Sequence, residues 1–383
     1  MLRAVLPFPV PCLSFLCLST LYLAPLCLSP CLSAQRTLAE IQRQFVEDLN
    51  KLGGGNPSRE QRHELLGSHC KQLQSFLDSE ARGDDRWNGR LMLADFQLAR
   101  DDDAAAAVTL RSIDAKAAPA LVLITAATMA QHLNLRESRD AWIDAALAKA
   151  APLPERLAMA RLLMLVLHEV ERSEKLFSEA LSGAPDDEQK ALVRWHRADA
   201  LRDREDLPDN TGFEELEKLA NDLPKTYWGD VARDRLRATR LQVGDEAIAF
   251  RAKARSGADI HSTELLGKAL VLAFWSATDM DTPMLVTTLR QLQKQFGPTL
   301  LVVGVCLDRD DAAIGAAVKQ LDIDFPVVGN GKGIETDVAL RWFVEGPVIQ
   351  VVDKNGKVAG LGLHAGTADG RTELGEVVAR ACK

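Results

Sequence analysis

Residues 269–284, ALVLAFWSATDMDTPM, carry an apolar run, a short polar turn and the start of a helix in sixteen positions. The first seven, Ala269 to Trp275, are continuously apolar and end in two aromatics, which is the length and character of a strand buried on both faces of a sheet. Beyond the turn, Leu285, Leu289, Leu292 and Phe296 recur at helical spacing and define one face of an amphipathic helix. A strand, a tight turn and a helix amino terminus together make a place where backbone N–H groups and the helix dipole stabilise negative charge. Chemistry at such a place commonly uses a cysteine in the turn, because the dipole lowers the thiol's pKa. This turn contains none.

Phe274-Trp275-Ser276-Ala277 resembles the Phe-Trp-Ala-Thr lead-in of redoxin-type thioredoxins. That branch of the thioredoxin superfamily holds secreted thiol-disulfide oxidoreductases and the alkyl hydroperoxide reductase/thiol-specific antioxidant proteins. The family continues Trp-Cys-x-x-Cys, which laid on without gaps falls on Thr278, Asp279, Met280, Asp281 and Thr282, so Asp279 and Thr282 occupy the two cysteine positions. In a peroxidase register, with Pro283 after the nucleophile, Thr282 again stands in the thiol's place. A threonine hydroxyl neither ionises near neutral pH nor forms a mixed disulfide or sulfenic acid. The resemblance extends over residues 243–383. Residues 241–250 resemble the redoxin leading segment, with Ile248 where a proline is usual, and Gly267-Lys268 resembles the step into the central strand. Further strands are expected over 300–307, 325–328 and 348–352, with a hairpin through Asn355-Gly356 into 357–363 and a closing helix over 372–381. Gly346-Pro347 falls where the family places its cis-proline, beside the active-site turn; the isomer is not readable from sequence.

The 383 residues exceed one ordinary core, so two domains are expected. A net charge of −8 and a pI near 5.5 argue against nucleic acid or an anionic membrane as partner. Residues 1–34 hold one basic residue, Arg3, no acids and long apolar stretches, and Leu32-Ser33-Ala34 precedes Gln35. That is the pattern of a secretory signal removed near Ala34, with an uncleaved membrane anchor as the alternative. Four of seven cysteines lie in this segment. Cys70, Cys306 and Cys382 remain, an odd number for an exported chain, and no Cys-x-x-Cys occurs anywhere.

From Thr37 to about Thr239 the pattern is helical throughout. The loop Gly53-Gly54-Gly55-Asn56-Pro57 separates a leading helix from one starting near Ser58. Helix starts near Asp84, Pro119, Pro152 and Asp186 then recur at about 34 residues, each followed by a second helix near Ala104, Glu137, Glu171 and Gly212. Ser173, Phe177, Ala180 and Pro185 resemble the small, aromatic, alanine and proline positions of tetratricopeptide repeats, and Trp142 and Ala145 repeat part of that set one unit earlier. Small residues let paired helices approach, and the aromatic fills the gap to the next pair. A final helix opens after Lys225.

The fold expected is therefore α + α/β: a signal peptide over 1–34, an all-α tetratricopeptide-like domain over 35–242 and a thioredoxin-like domain over 243–383. Asp279 reads as a helix-capping carboxylate rather than a general acid, and Thr282-Pro283 reads as a cap followed by proline at the first helical position. Cys306, inside an apolar strand, reads as a buried inert thiol. His63, His69 and Cys70 lack a fourth ligand for a metal. Gly329-x-Gly331-x-Gly333 lacks the ending of a phosphate loop. Trp87, Trp142 and Trp195 read as core. No catalytic residue, cofactor or metal is assigned. The function expected is an exported, non-catalytic protein-binding or scaffold role through the helical repeats and the groove at Pro347. The alternative is a thiol-disulfide oxidoreductase or peroxidase using Cys306 or Cys382.

Overall fold

Asp84, Pro119, Pro152 and Asp186 stand at helix N-caps, 35, 33 and 34 residues apart. The structure, a computed structural model, describes residues 37–52, 58–79, 83–208 and 210–383. The expected signal segment 1–34 and the glycine loop 53–57 lie outside the described residues. The described chain forms two compact units that divide between Arg233 and Asp234.

The first unit is all helix among the described residues: α1 (Leu38–Lys51), α2 (Arg59–Asp78), α3 (Asp85–Leu98), α4 (Asp103–Arg111), α5 (Ala120–His132), α6 (Arg136–Leu147), α7 (Leu153–Leu165), α8 (Val170–Ser182), α9 (Asp187–Arg202), α10 (Thr211–Asp222) and the start of α11 (Tyr227–Ala238). Helices pair α3 with α4, α5 with α6, α7 with α8 and α9 with α10, and each pair's first helix packs on the next pair's first. α5 is buried nearly all round because its residues 120–130 are apolar or small on every face. Ser173, Phe177 and Ala180 are all buried on α8, and the Ser173 hydroxyl donates to the Ala160 carbonyl across the pair at 2.7 Å. Trp87, Trp142 and Trp195 are core residues, as their spacing predicts. No helix among the described residues is long and apolar enough to cross a membrane.

His196 on α9 sits beside Trp228, ring centroids 6.3 Å apart. Burial first, then the charge of Arg161, pushes its pKa down to about 4 from 6.5, against the opposing pull of Asp199. The imidazole is therefore neutral in the fold and protonates in the unfolded chain near pH 6.5. Its contribution to stability is complete above that pH and is lost as pH falls toward 4, a change of about 3 kcal/mol. A urea unfolding series between about pH 7 and 4 is expected to show this loss, and His196→Gln is expected to flatten it.

The second unit opens with the end of α11, where Asp234 pairs with Arg341 and Arg235 lies over the Phe343 ring. It continues through β1 (Arg251–Lys253), β2 (Asp259–His261), β3 (Ala269–Trp275), α12 (Thr282–Phe296), β4 (Leu300–Cys306), α13 (Asp311–Gln320), β5 (Val327–Val328), α14 (Asp337–Trp342), β6 (Val348–Val352), β7 (Val358–Leu363) and α15 (Ala368–Ala381). The main sheet runs β5-β4-β3-β6-β7, with β3, β4 and β5 parallel and β6 and β7 antiparallel to their neighbours. β3 is central and buried at every position. Ala269, Val271, Ala273 and Trp275 face Val286 and Leu289 of α12 and Val377 and Val378 of α15. Leu270, Leu272 and Phe274 face Ile248, Phe250 and Trp342 on the other side. Gly304 on β4 is glycine for space: a Cβ there would stand 2.9 Å from the Phe325 ring and 3.0 Å from Trp275 Nε1. The small β1–β2 hairpin and helices α13 and α14 were not anticipated from the sequence. The closing helix starts at Ala368 rather than 372 because the Thr367 hydroxyl caps it, accepting from Gly370 N–H at 3.1 Å.

Candidate functional site

The carboxyl end of β3 delivers residues 276–281, Ser-Ala-Thr-Asp-Met-Asp, to the edge of the sheet in front of α12. Its neighbours follow from register. Trp275 pairs with Cys306, so the end of β4 and Asp308 lie on one side. Phe274 pairs with Val348, so Pro347 lies on the other. The peptide bond of Pro347 is trans, as is every described peptide bond. The trans form is the lower-energy isomer of an X–Pro bond.

Asp308 ties the turn together. Its Oδ1 accepts from the Ser276 hydroxyl at 2.6 Å, and its Oδ2 accepts from the Ala277 N–H at 2.6 Å and from the Cys306 thiol at 3.0 Å. The remaining donors are met locally. Thr278 N–H bonds Ser276 Oγ at 3.2 Å, Asp279 N–H bonds the Ser276 carbonyl at 3.2 Å, Asp281 N–H bonds Asp279 Oδ1 at 3.0 Å, and Thr282 N–H bonds the Asp279 carbonyl at 3.2 Å. A helix amino terminus binds anions through free N–H groups. Here most of those groups already have an acceptor from the chain.

The capping roles expected for Asp279 and Thr282 need correction. α12 begins at Thr282 with Asp281 as its N-cap, and no side chain caps it. Thr282 is buried, so its hydroxyl needs an internal partner, and it donates to the Ser276 carbonyl at 2.7 Å. Asp279 closes an Asx-type turn onto Asp281 instead of reaching the helix. The Asp281 carboxylate lies against Gly366, where any Cβ would collide with it. Asp308 itself escaped the sequence reading. Its one signal was position: a carboxylate just past the carboxyl end of a parallel strand, the side on which open α/β sheets place ligands.

The three cysteines do not converge on the turn's surface. Cys306 lies beneath the turn, fully buried, and burial followed by its hydrogen bond to Asp308 pushes its thiol up to about 12. Cys382, on the far end of α15, is half-buried, and burial raises its thiol too. Cys70 belongs to the helical unit, where burial raises its thiol against the opposing charge of Arg100. At about pH 8 roughly one Cys306 thiol in ten thousand is ionised. Iodoacetamide on the folded protein is therefore expected to label Cys382 while Cys306 stays unmodified until the chain is unfolded, with peptide mass spectrometry as the readout. His63 and Cys70 line one open groove of the helical unit, while His69 is buried and points to Asp48, Nε2 to Oδ2 3.3 Å, so the three do not share a site. No cluster of three metal-ligating side chains occurs among the described residues.

Residues 243–360 match the family model described as the AhpC/TSA family. The fold of the carboxy-terminal unit is thioredoxin-like. A thioredoxin-like protein, YneN, of Bacillus subtilis is 25% identical to it over 130 residues, 33% of this chain and 74% of that protein. Among solved structures, a putative thiol:disulfide interchange protein DsbE from Chlorobium tepidum is similar at 23% identity, covering 37% of this chain and 99% of its own, with a TM-score of 0.34. A secreted Mycobacterium tuberculosis disulfide oxidoreductase homologous to E. coli DsbE is similar at 22% identity, covering 34% and 95%, with a TM-score of 0.30. The turn after β3 and the first turn of α12 present Met280, Pro283 and Met284 to solvent, Met280 at 83% exposure. An apolar side chain that open at a turn buries nothing in the isolated chain.

Proposed function

We propose that this is an exported binding or scaffold protein whose AhpC/TSA domain has given up thiol chemistry and whose helical unit, tetratricopeptide-like in spacing, holds a partner polypeptide. The observation that carries the reading is the turn itself. Where a redoxin acts through sulfur, this chain has Asp279 and Thr282, and both are committed to hydrogen bonds within the turn. Asp308 adds a negative charge at the Ala277 amide, and a carboxylate there opposes formation of any thiolate nearby. The exposed Met280, Pro283 and Met284 supply an apolar contact surface at the carboxyl end of β3. Methionine is soft and adaptable, which suits it to binding surfaces. The low charge and long apolar run of residues 1–34 support export.

The competing reading, a thiol-disulfide oxidoreductase or peroxidase of the redoxin family, would have to use Cys306 or Cys382. The burial and raised pKa of Cys306 weigh against it. The test is to assay the purified mature chain for disulfide reduction and peroxide consumption, beside Cys306→Ser and Cys382→Ser. No activity above buffer is expected; activity that disappears in either variant would overturn the proposal. Crosslinking in the native envelope is expected to capture a protein with the parent chain and to lose it with Met280→Glu/Met284→Glu, the fold being checked by circular dichroism.

A further inference from the structure

Several arginines of the helical unit are held in ion pairs. Arg139, Arg161, Arg194 and Arg197 each reach a carboxylate on their own or a neighbouring helix. Two on α3 are not. Arg86 lies over the Trp87 indole, its guanidinium carbon 4.1 Å from the ring centroid, and Arg90 lies over the same indole at 5.1 Å. Arg86 Nε and Arg90 Nη1 are shielded from solvent, yet neither has an acceptor among the described residues. Among the described residues no ion pair joins Arg86 or Arg90 to Asp84, Asp85 or Asp95, and the carboxyl of Asp95 is raised by burial with no cation offsetting it.

This arrangement is unfavourable three times over. Like charges four residues apart on a helix repel, cations in a helix's first turns oppose its dipole, and a shielded guanidinium N–H without an acceptor forfeits its hydration. Arginine cannot escape by losing its proton. Burial and then the charge of Arg86 lower the proton affinity of Arg90, the direction expected of two crowded cations. An oxyanion accepting from the remaining N–H groups of both guanidiniums relieves the first two directly, and it is strengthened where the indole limits access of water.

We propose that Arg86 and Arg90 on their shared Trp87 platform form a binding site for an oxyanion group, carried either by a free anion or by an acidic side chain of a polypeptide. The site lies wholly within the helical unit and stands whether or not the AhpC/TSA domain is catalytic.

The test uses the full mature chain, with inorganic phosphate, acetate and a glutamate decapeptide as probes. Indole fluorescence and melting temperature are followed together. At least one probe is expected to saturate and raise the melting temperature. Arg86→Gln/Arg90→Gln is expected to weaken that binding at least tenfold without lowering the melting temperature of the ligand-free protein. Arg90→Lys, which keeps the charge and loses the fork, is expected to weaken it several-fold and guards against a folding defect in the double variant. Tighter peptide than phosphate binding assigns the oxyanion to a polypeptide, and the reverse assigns it to a free anion; both sustain the site. An unchanged response in the double variant, an equal loss in the control Arg194→Gln, or no saturable response with a double variant that melts below the parent would each overturn it.

Discussion

Asp279→Cys/Thr282→Cys is expected to give a chain that forms and cycles a disulfide in this turn, raising turnover of a small disulfide substrate at least tenfold over the parent. The turn already has the required shape. Thr282 N–H bonds the Asp279 carbonyl at 3.2 Å, so the two positions close a four-residue turn whose Cα atoms fall within about 7 Å, the reach of a disulfide. Position 279 is half-buried and 282 is buried, which leaves one thiol accessible for attack and the other sheltered to resolve the mixed disulfide. The substitutions remove the hydrogen bonds from Thr282 Oγ1 to Ser276 and from Asp281 N–H to Asp279, a loss of about 1–2 kcal/mol that a folded domain tolerates. Activity should then remain modest, because the Asp308 carboxylate sits on the Ala277 amide two residues away and holds the new thiol protonated. Adding Asp308→Asn is expected to lower that thiol's pKa by about one unit and to raise the reaction rate at neutral pH roughly tenfold. A double-cysteine chain that forms the disulfide and yet reduces nothing, with or without Asp308→Asn, would show that two thiols in this turn are not enough for disulfide reduction.

Asp308→Ala is expected to be the most damaging single change in the second unit, because one carboxylate serves three donors. Ser276 Oγ, the Ala277 N–H and the Cys306 thiol would all lose their acceptor in a half-buried place. Hydrogen bonds to a charged acceptor contribute about 1.5–3 kcal/mol each and do not add fully when they share one partner, so a loss of about 3–4 kcal/mol is expected. It would be seen as a shift in the urea midpoint of the α/β unit. Asp308→Asn, which keeps one acceptor oxygen and the shape, should lose about half as much. The same substitutions should make Cys306 accessible to iodoacetamide in the folded state, since the thiol is then held by burial alone. A midpoint within about 1 kcal/mol of the parent would mean that the turn is held by its backbone and not by this carboxylate.

Much of the architecture was legible in the residues. The seven-residue apolar run at 269–275 could only be a strand covered on both faces, and it is the central strand. The recurrence of Asp84, Pro119, Pro152 and Asp186 set the helix starts, because prolines and short acids act locally at a helix's first turn. The absence of a cysteine from the turn needed no coordinates. The α13 and α14 helices were missed because six to ten residues of mixed character leave little periodicity to read.

What only the tertiary structure decided is which groups meet. Asp308 is 32 residues from Ser276, and parallel pairing of β3 with β4 is what brings the two within 2.6 Å. Thr282 has good capping chemistry in the sequence, yet burial turned its hydroxyl inward to the Ser276 carbonyl. Arg86 and Arg90 look like two ordinary surface cations in a row of letters, and their lack of partners became visible only once the neighbouring carboxylates had been placed elsewhere. Local propensity and apolar period are properties of a short stretch, so sequence carries them. A hydrogen bond or a missing one is a property of two distant stretches, and the packing alone sets it.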